Sequence, residues 1–257
     1  MGTPPFPGAH RLIAPPSWRC IDFISDIHLH DGLPRTTEAL ARYLSQTPAD
    51  AILILGDLFE AWVGDDMRTE PFEARCLQML GDAASTRFVG IMVGNRDFLL
   101  GHEALAACGA HALPDPTVLE AFGQRALLIH GDALCLQDTA YLRFREQVRQ
   151  PAWQQAFLSA PLPARLAQAR QMREASQAHQ QQNQQALYAD VDEAAITDWF
   201  AQSHTALLIH GHTHRPGTSP FAGGVRHVLS DWDLDHGHPR AEVLRWQAGG
   251  IERLPVR

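Results

Sequence analysis

The first half of the chain alternates short apolar runs with segments in which apolar residues recur every three or four positions. Continuous apolar runs are typical of strands buried on both faces, and the longer spacing is typical of amphipathic helices. The runs predict strands at residues 20–25, 51–55 and 88–93. The periodic segments predict helices at residues 36–46, 71–84 and 102–108. Thr36 or Thr37 is the expected N-cap of the first helix, and Gly109 the expected stop of the third.

The second half of the chain adds strands in a different pattern. Residues 118–122 and 125–130 are separated by Gly123 and Gln124, which is typical of a β-hairpin. Further apolar runs predict strands at residues 206–210, 225–229 and 241–246. Alternating helices and strands followed by a hairpin predict a layered α/β or α+β sandwich.

Residues 136–203 show no strand pattern and are rich in Gln, Ala and Arg. Pro151, Pro161 and Pro163 should divide this segment into separate helices. Its apolar positions are Trp153, Phe157, Leu158, Leu162 and Leu166, and its basic ones are Arg143, Arg145, Arg149, Arg165, Arg170 and Arg173. From the pattern alone, a solvated helical hairpin is the simpler interpretation and a functional insertion the alternative.

Composition narrows the class of protein. The chain has 257 residues, of which 45% are hydrophobic and 19% charged, enough for one sizeable domain with or without an insertion. No run is long enough to span a membrane, and a net charge of -8 argues against a general nucleic-acid binder. Residues 1–17 contain Pro4, Pro5, Pro7, Pro15 and Pro16, so we expect an extended arm there and the folded domain in residues 18–257.

The four cysteines, Cys20, Cys76, Cys108 and Cys135, lack the C-x-x-C spacing of metal and redox sites. We expect them to be buried small hydrophobic residues, with disulfides between them as the alternative. The start of the chain has no signal segment, which favours a reducing cytoplasm.

Polar motifs follow five of the predicted strands, and they could bind metal ions. Asp26 and His28 are two residues apart, so their side chains would point to the same side of an extended chain. Asp57 follows Gly56, and its carboxylate has two oxygens with which to bridge two cations. The full candidate set is Asp26, His28, Asp57, Asn95, His130, His212 and His214.

Oxygen and nitrogen ligands without thiolates suit Mn²⁺, Zn²⁺ or Fe²⁺ and disfavour a structural zinc site. We expect two Mn²⁺ ions, with Zn²⁺ or Fe²⁺ as the alternatives. Two cations about 3.5–4 Å apart can activate a water and hold the attacking and leaving oxygens of an in-line displacement. Any one motif alone is an ordinary turn or a structural histidine, but the five together indicate phosphoester hydrolysis.

The order Asp-x-His, Gly-Asp, Gly-Asn, His, Gly-His-x-His resembles the calcineurin-like metallophosphoesterase superfamily over residues 20 to about 235. The resemblance implies a four-layer α/β/β/α sandwich with an inserted helical lid at about residues 136–203. It implies a first ion on Asp26, His28, Asp57 and His214. It implies a second ion on Asp57, Asn95, His130 and His212.

Longer strings are similar to the UDP-2,3-diacylglucosamine diphosphatases of lipid A synthesis: GDLFEAW at 56–62, GNRDFLLG at 94–101, HGD at 130–132 and GHTHRP at 211–216. This resemblance implies Mn²⁺-dependent cleavage of a lipid-linked nucleotide at the α-phosphorus, giving UMP and 2,3-diacylglucosamine 1-phosphate (lipid X). It implies a peripheral protein on the cytoplasmic face of the inner membrane, and no nucleic-acid or protein partner is expected.

Arg96 stands where the wider superfamily commonly has a histidine that helps protonate the leaving group. Arginine does not give up its proton at neutral pH, but it can clamp phosphate oxygens and stabilise developing charge. A phosphomonoester leaves more easily than an alcohol, so Arg96 favours a diphosphate substrate. The alternative is a salt bridge from Arg96 to Asp97 that holds the loop.

The resemblance also implies roles for further residues. The implied catalytic residues are Asp57, Asn95, Arg96 and His212. The implied substrate contacts are Asn95, Arg96, Asp138, Arg173, Ser176, Gln180, Asn183 and His212. Asn183 replaces a lysine found in some relatives. Apolar faces of the lid would cover the acyl chains while its arginines meet phosphates.

Two other functions remain open. A phosphohydrolase of the same superfamily could act on a soluble substrate such as a dinucleoside polyphosphate or a phosphoprotein, with the same metal residues. A non-catalytic binding scaffold would typically lose ligands, whereas this chain keeps all of the expected ones.

Overall fold

The structure is a computed structural model that describes residues 4–182 and 189–256, and only the backbone of residues 175–182. Its strands are β1 His10–Ile13, β2 Cys20–Ile24, β3 Ala51–Leu55, β4 Phe88–Met92, β5 His111–Ala112, β6 Thr117–Ala121, β7 Gln124–Ile129, β8 Leu207–His210, β9 Gly217–Phe221, β10 Gly224–Val228, β11 Glu242–Gln247 and β12 Gly250–Pro255. Its α-helices are α1 Pro34–Gln46, α2 Pro71–Ala84, α3 His102–Cys108, α4 Thr139–Val148, α5 Pro151–Leu158, α6 Leu162–Gln182 and α7 Glu193–Ser203.

The strands form two six-stranded sheets, both mixed. In the first sheet the order is β12-β11-β2-β3-β4-β5, with β2 to β5 parallel and β11 antiparallel to β2. In the second sheet the order is β1-β6-β7-β8-β10-β9. There β6 and β7 form the predicted antiparallel hairpin, and β7, β8 and β10 run parallel.

Three buried clusters hold the layers together. The inner faces of the two sheets meet in one cluster, where Phe23 and Leu53 pack with Leu128 and Ile209. The outer face of the first sheet packs on α1 to α3, and the outer face of the second sheet packs on α7. Successive residues of β2 and β3 therefore face a helix layer and the other sheet in turn, which explains why these strands read as continuous apolar runs. The predicted α/β/β/α sandwich is confirmed.

Most predicted elements are present, but the N-cap of α1 was predicted wrongly. Leu33 is the N-cap, and Pro34 lies in the first turn. Thr36 is fully buried, and its hydroxyl donates to Asp235 at 2.7 Å. Thr36 therefore ties α1 to the loop before β11 and does not cap the helix. The four cysteines are free and buried, as expected.

Residues 1–17 do not all lie outside the sandwich. His10–Ile13 pairs in parallel with β6 as the edge strand of the second sheet. An edge strand needs only one hydrogen-bonded neighbour, so it tolerates the prolines that flank it. Phe6 packs edge-on against Trp199 of α7, with ring centroids 5.4 Å apart.

The segment between β7 and β8 is helical in its described parts, as the pattern predicted. We call α4 to α6 the helical segment. Pro151 begins α5, and α6 starts immediately after Pro161. Trp153 and Phe157 stack with ring centroids 4.9 Å apart and pack on the first sheet's helical layer. None of the described helices combines the length and apolar character that a bilayer crossing requires.

Asp22 is a fully buried charge on the helix-facing side of β2. Its carboxylate accepts hydrogen bonds from Arg245 Nε and Nη2, both at 2.8 Å, and from the Tyr43 and Thr47 hydroxyls at 2.9 and 2.6 Å. This network joins β2, β11 and the end of α1. A buried carboxylate is tolerated only with such partners.

We expect Arg245→Ala to lower the free energy of unfolding by about 3–5 kcal/mol, because Asp22 would be left as an uncompensated buried charge. Urea unfolding followed by circular dichroism measures this change. Arg11→Ala is the matched control, since Arg11 pairs with Glu120 at the exposed surface and its loss should leave the free energy of unfolding nearly unchanged. Equal losses in the two variants would contradict the prediction.

Candidate metal centre

All seven predicted ligands come together at one edge of the sandwich, where strands of both sheets end. Asp26 and His28 follow β2, Asp57 follows β3 and Asn95 follows β4 in the first sheet. His130 follows β7 in the second sheet, and His212 and His214 follow β8. The carboxyl ends of parallel strands meet at the same edge of a sheet, so residues far apart in sequence become neighbours.

One group of donors surrounds His214. Its Nε2 atom lies 3.3 Å from Asp26 Oδ1 and 3.4 Å from His28 Nε2. His28 Nε2 lies 3.9 Å from Asp57 Oδ2. Donor atoms of Asp26, His28 and His214 all lie within 4.8 Å of one another, close enough to share a cation.

A second group of donors surrounds Asn95. Its Oδ1 atom lies 3.0 Å from His130 Nε2 and 2.9 Å from His212 Nδ1. His130 Nε2 also lies 3.7 Å from Asp57 Oδ2, so Asp57 touches both groups. Donor atoms of Asp26, Asp57 and His130 form a further cluster within 4.8 Å. Asp26 therefore lies between the two groups as well, although the sequence pointed only to Asp57.

The donor set fits divalent cations. Asp26 and Asp57 are 0% and 2% exposed, and the ion pairs described for them are with histidines. Two buried carboxylates at one site need compensating positive charge. Carboxylate oxygens, an amide oxygen and imidazole nitrogens are the ligands that Mn²⁺, Zn²⁺ and Fe²⁺ accept.

The backbone at the ligands is strained. The φ angles are +52° at Asp26, +54° at His28, +53° at Asp57, +65° at His212 and +52° at His214. Non-glycine residues rarely adopt this left-handed conformation, and such strain clusters at functional sites. The sequence analysis expected Asp26 and His28 at the end of an extended strand, and this was wrong. The strand β2 ends at Ile24, before both residues. Left-handed turns bring the two side chains together.

Glycines precede the ligands because neighbouring groups leave no space for a side chain. A Cβ atom on Gly94 would overlap the Asp57 carboxylate and backbone nitrogen. A Cβ atom on Gly211 would overlap the Asp26 carboxylate. The glycines in these motifs thus let two loops approach each other at the ligands.

Neighbouring charges shift the pKa values of the buried histidines in opposite directions. Burial disfavours the charged form of His130, but the carboxylates of Asp57, Asp132 and Asp26 outweigh this and raise its pKa to about 9. For His212, burial and the neighbouring charge of His130 lower the pKa to about 4. The two imidazoles therefore experience very different electrostatic environments, although their ring centroids are only 5.2 Å apart.

Asp97 holds the loop that carries Asn95 and Arg96. It is fully buried and accepts hydrogen bonds from the backbone nitrogens of Gly94 at 2.7 Å and Leu58 at 2.8 Å. Burial and the charge of Asp57 raise the pKa of Asp97 to about 6. The described contacts include no ion pair between Arg96 and Asp97, so the alternative role considered for Arg96 is wrong. The Arg96 backbone nitrogen instead donates to Asp57 Oδ1 at 2.8 Å.

The helical segment is attached directly to the loops of the centre. Asp132, two residues after His130, accepts hydrogen bonds from the Tyr141 hydroxyl at 2.5 Å and from Arg145 Nε at 2.8 Å. Arg149 Nη2 donates to the Gly94 carbonyl at 2.9 Å. Arg165 is buried, and it binds the Val63 carbonyl and Asp66. These contacts exclude the freely solvated hairpin and place the segment beside the metal ligands.

The other predicted substrate contacts are less well defined. Asp138 is the N-cap of α4, and its side chain accepts from the Tyr141 backbone nitrogen at 3.0 Å. Arg173 lies on α6, with its Nη1 atom 2.7 Å from Glu60 Oε1. Ser176 and Gln180 lie on the part of α6 where only the backbone is described, and Asn183 lies outside the described residues.

Two carboxylates beside the centre were missed by the sequence analysis. Glu60 Oε2 lies 3.0 Å from His28 Nδ1, and Asp231 Oδ2 lies 3.5 Å from His214 Nδ1. A signal was available for both. Glu60 stands within the same motif as Asp57, and Asp231 follows the strand β10 as the ligands follow theirs.

Gly94→Ala should weaken Mn²⁺ binding by about 10–100-fold, because the added methyl group must displace the Asp57 carboxylate. Calorimetric titration of metal-free protein measures the affinity. Gly249→Ala is the control, since no atom lies within 4 Å of the position that its methyl group would take. Wild-type affinity in Gly94→Ala would show that the close approach to Asp57 is not needed.

Comparison with known proteins agrees with this geometry. The calcineurin-like phosphoesterase family matches residues 21–216. A protein of Ralstonia nicotianae named UDP-2,3-diacylglucosamine hydrolase is 45% identical over 91% of this chain and 91% of its own. One of the same name from Chromobacterium violaceum is 44% identical over 92% of this chain and 98% of its own. The solved structure of vacuolar protein sorting 29 from Cryptosporidium parvum covers 93% of this chain and 96% of its own at 13% identity and a TM-score of 0.48, too remote to inform function. The chain belongs to the calcineurin-like phosphoesterase family.

Proposed function

We propose that this chain is a Mn²⁺-dependent UDP-2,3-diacylglucosamine hydrolase. It would cut the diphosphate at the α-phosphorus and release UMP and 2,3-diacylglucosamine 1-phosphate (lipid X). The observation that carries the proposal is the convergence of all seven candidate ligands at one edge of the sandwich, with Asp57 in contact with both groups. Relatives about 45% identical over most of the chain are named for hydrolysis of this substrate.

The ligands would be shared between two ions. Asp26, His28, Asp57 and His214 would hold the first, and Asp57, Asn95, His130 and His212 the second. Bound divalent cations supply Lewis-acid charge and a water that is acidic enough to act as nucleophile at neutral pH. The protein keeps the donors in place through the left-handed turns and the buried Asp97, so little reorganisation is needed when substrate binds.

Arg96 would clamp the diphosphate. Its backbone nitrogen is fixed to Asp57, and its Nε atom is buried with no hydrogen-bond partner among the described residues. An unsatisfied buried donor is costly and suits a ligand oxygen, above all a charged phosphate oxygen. Arg96 would therefore stabilise charge on the phosphates as the bond to the leaving phosphomonoester breaks.

The helical segment would receive the lipid part of the substrate, as a lid inserted between β7 and β8. Trp153 and Phe157 form an apolar stack, and the Leu158 side chain next to them is 42% exposed. Acyl chains could pack on such a surface, and Asp138, Arg173, Ser176, Gln180 and Asn183 would contact the headgroup. Because the substrate is anchored in a bilayer, the protein would work at the cytoplasmic face of the inner membrane.

Release of UMP from UDP-2,3-diacylglucosamine is the direct test of the function. With Mn²⁺ present, we expect wild-type turnover, and a loss of at least about 100-fold in Asp57→Ala, which removes the shared carboxylate. Asp31→Ala is the control, because its side chain is 92% exposed. Activity on a dinucleoside polyphosphate but not on the lipid would favour a soluble substrate, and no activity with either would favour a binding scaffold.

Arg96→Ala should keep both metal ions and lose about 100–1,000-fold in turnover, because it removes a charge aimed at the transition state and no metal ligand. Metal content by mass spectrometry and UMP release measure the two quantities. Arg42→Ala is the control, since Arg42 is on the exposed face of α1, where it pairs with Glu38. Unchanged turnover in Arg96→Ala would contradict the clamp.

A further inference from the structure

The two histidines of the first metal group each face a carboxylate on the ring nitrogen that points away from the ion position. Their Nε2 atoms lie 3.4 Å apart within the group. On the opposite side of the rings, His28 Nδ1 lies 3.0 Å from Glu60 and His214 Nδ1 lies 3.5 Å from Asp231. By contrast, His130 Nδ1 lies 2.9 Å from a neutral acceptor, the Leu55 carbonyl. A carboxylate on the far nitrogen fixes the ring orientation and makes the histidine a better metal ligand.

Both carboxylates also bind an arginine, but the two arginines come from different parts of the fold. Asp231 Oδ2 pairs with Arg240, which is only nine residues away, at 2.5 Å. Glu60 Oε1 pairs with Arg173 of α6 at 2.7 Å. Asp231 therefore connects His214 to the loop between Asp231 and Arg240, whereas Glu60 connects His28 to the helical segment.

The contact between Glu60 and Arg173 is well placed to restrain α6. The Glu60 side chain is 13% exposed, so its charge is largely removed from water and needs both of its partners. The Arg173 side chain is 43% exposed and lies on the last part of α6 whose side chains are described. The other anchors described for the helical segment, Arg145, Arg149 and Arg165, contact loop backbone or Asp132 and Asp66. Arg173 differs from these arginines in that the carboxylate it reaches, Glu60, lies 3.0 Å from a ring nitrogen of His28 in the first metal group.

We propose that Glu60 is a positioning residue that joins the helical segment to the metal centre. One carboxylate oxygen orients His28 toward the first ion, and the other holds Arg173 and thereby the middle of α6 beside the centre. Loss of Glu60 should therefore weaken metal binding and loosen α6 together, while loss of Asp231 or Arg173 should cause only one of these effects.

Three variants separate the two effects, each measured on metal-free protein by Mn²⁺ calorimetry and by hydrogen exchange of residues 162–174. Glu60→Gln should weaken the first Mn²⁺ site by about 10–100-fold and speed exchange in this range. Asp231→Asn should weaken the site similarly and leave exchange unchanged. Arg173→Gln should speed exchange and leave the affinity within about threefold of wild type.

Glu120→Gln is the matched control, because Glu120 pairs with Arg11 and Arg125 far from the centre and should change neither quantity. Wild-type affinity or wild-type exchange in Glu60→Gln would overturn the proposal. Should that variant fail to fold, unchanged exchange in Arg173→Gln would overturn it. The inference rests on the proposed function, because it takes His28 as a metal ligand. A wild-type protein that binds no Mn²⁺ would contradict both the proposed function and this inference. Normal Mn²⁺ binding in wild type and Glu60→Gln alike would contradict only the role of Glu60.

Discussion

The burial of two carboxylates at the shared edge of two sheets is the constraint on which the rest of the centre depends. Asp26 and Asp57 are almost inaccessible to water and lie against imidazoles of His28, His130 and His214. The ion pairs described for the two carboxylates are with these imidazoles. Buried negative charge without a counterion is costly. Divalent cations bound at these donors would supply further positive charge.

Much of the surrounding structure serves to hold this crowded edge in place. Ligand residues adopt left-handed backbone conformations, and glycines beside them allow the loops to touch. The buried Asp97 carboxylate accepts hydrogen bonds from the backbone nitrogens of two of these loops, at Gly94 and Leu58. Strain at the ligands is offset by burial and hydrogen bonding around them, which fits a site that is organised before substrate arrives.

The helical segment belongs to the same arrangement. Asp132 binds α4 two residues after the ligand His130, Arg149 reaches the carbonyl of Gly94, and Glu60 links Arg173 to His28. Any movement of the helical segment would therefore displace the loops that carry the ligands. The helical segment and the loops that carry the candidate ligands are thus connected through a few charged side chains.

The sequence predicted the layers and the seven candidate ligands because both depend on local patterns. Runs such as 51–55 are apolar throughout since both faces of β3 are covered, and the ligand motifs stand directly after such runs. It did not predict the edge strands at His10–Ile13 and Gly250–Pro255, whose stability comes from one neighbouring strand and not from their own pattern.

Only the tertiary structure decided which groups surround the ligands. Glu60, Asp231 and Asp132 are ordinary acidic residues until folding places His28, His214 and Arg145 next to them. Likewise, the sequence could offer Arg96 a partner in Asp97, but folding aims Asp97 at the backbone and leaves Arg96 Nε without a partner among the described residues. A sequence pattern records which residues are local neighbours, whereas burial and charge pairing depend on contacts between segments that are distant along the chain.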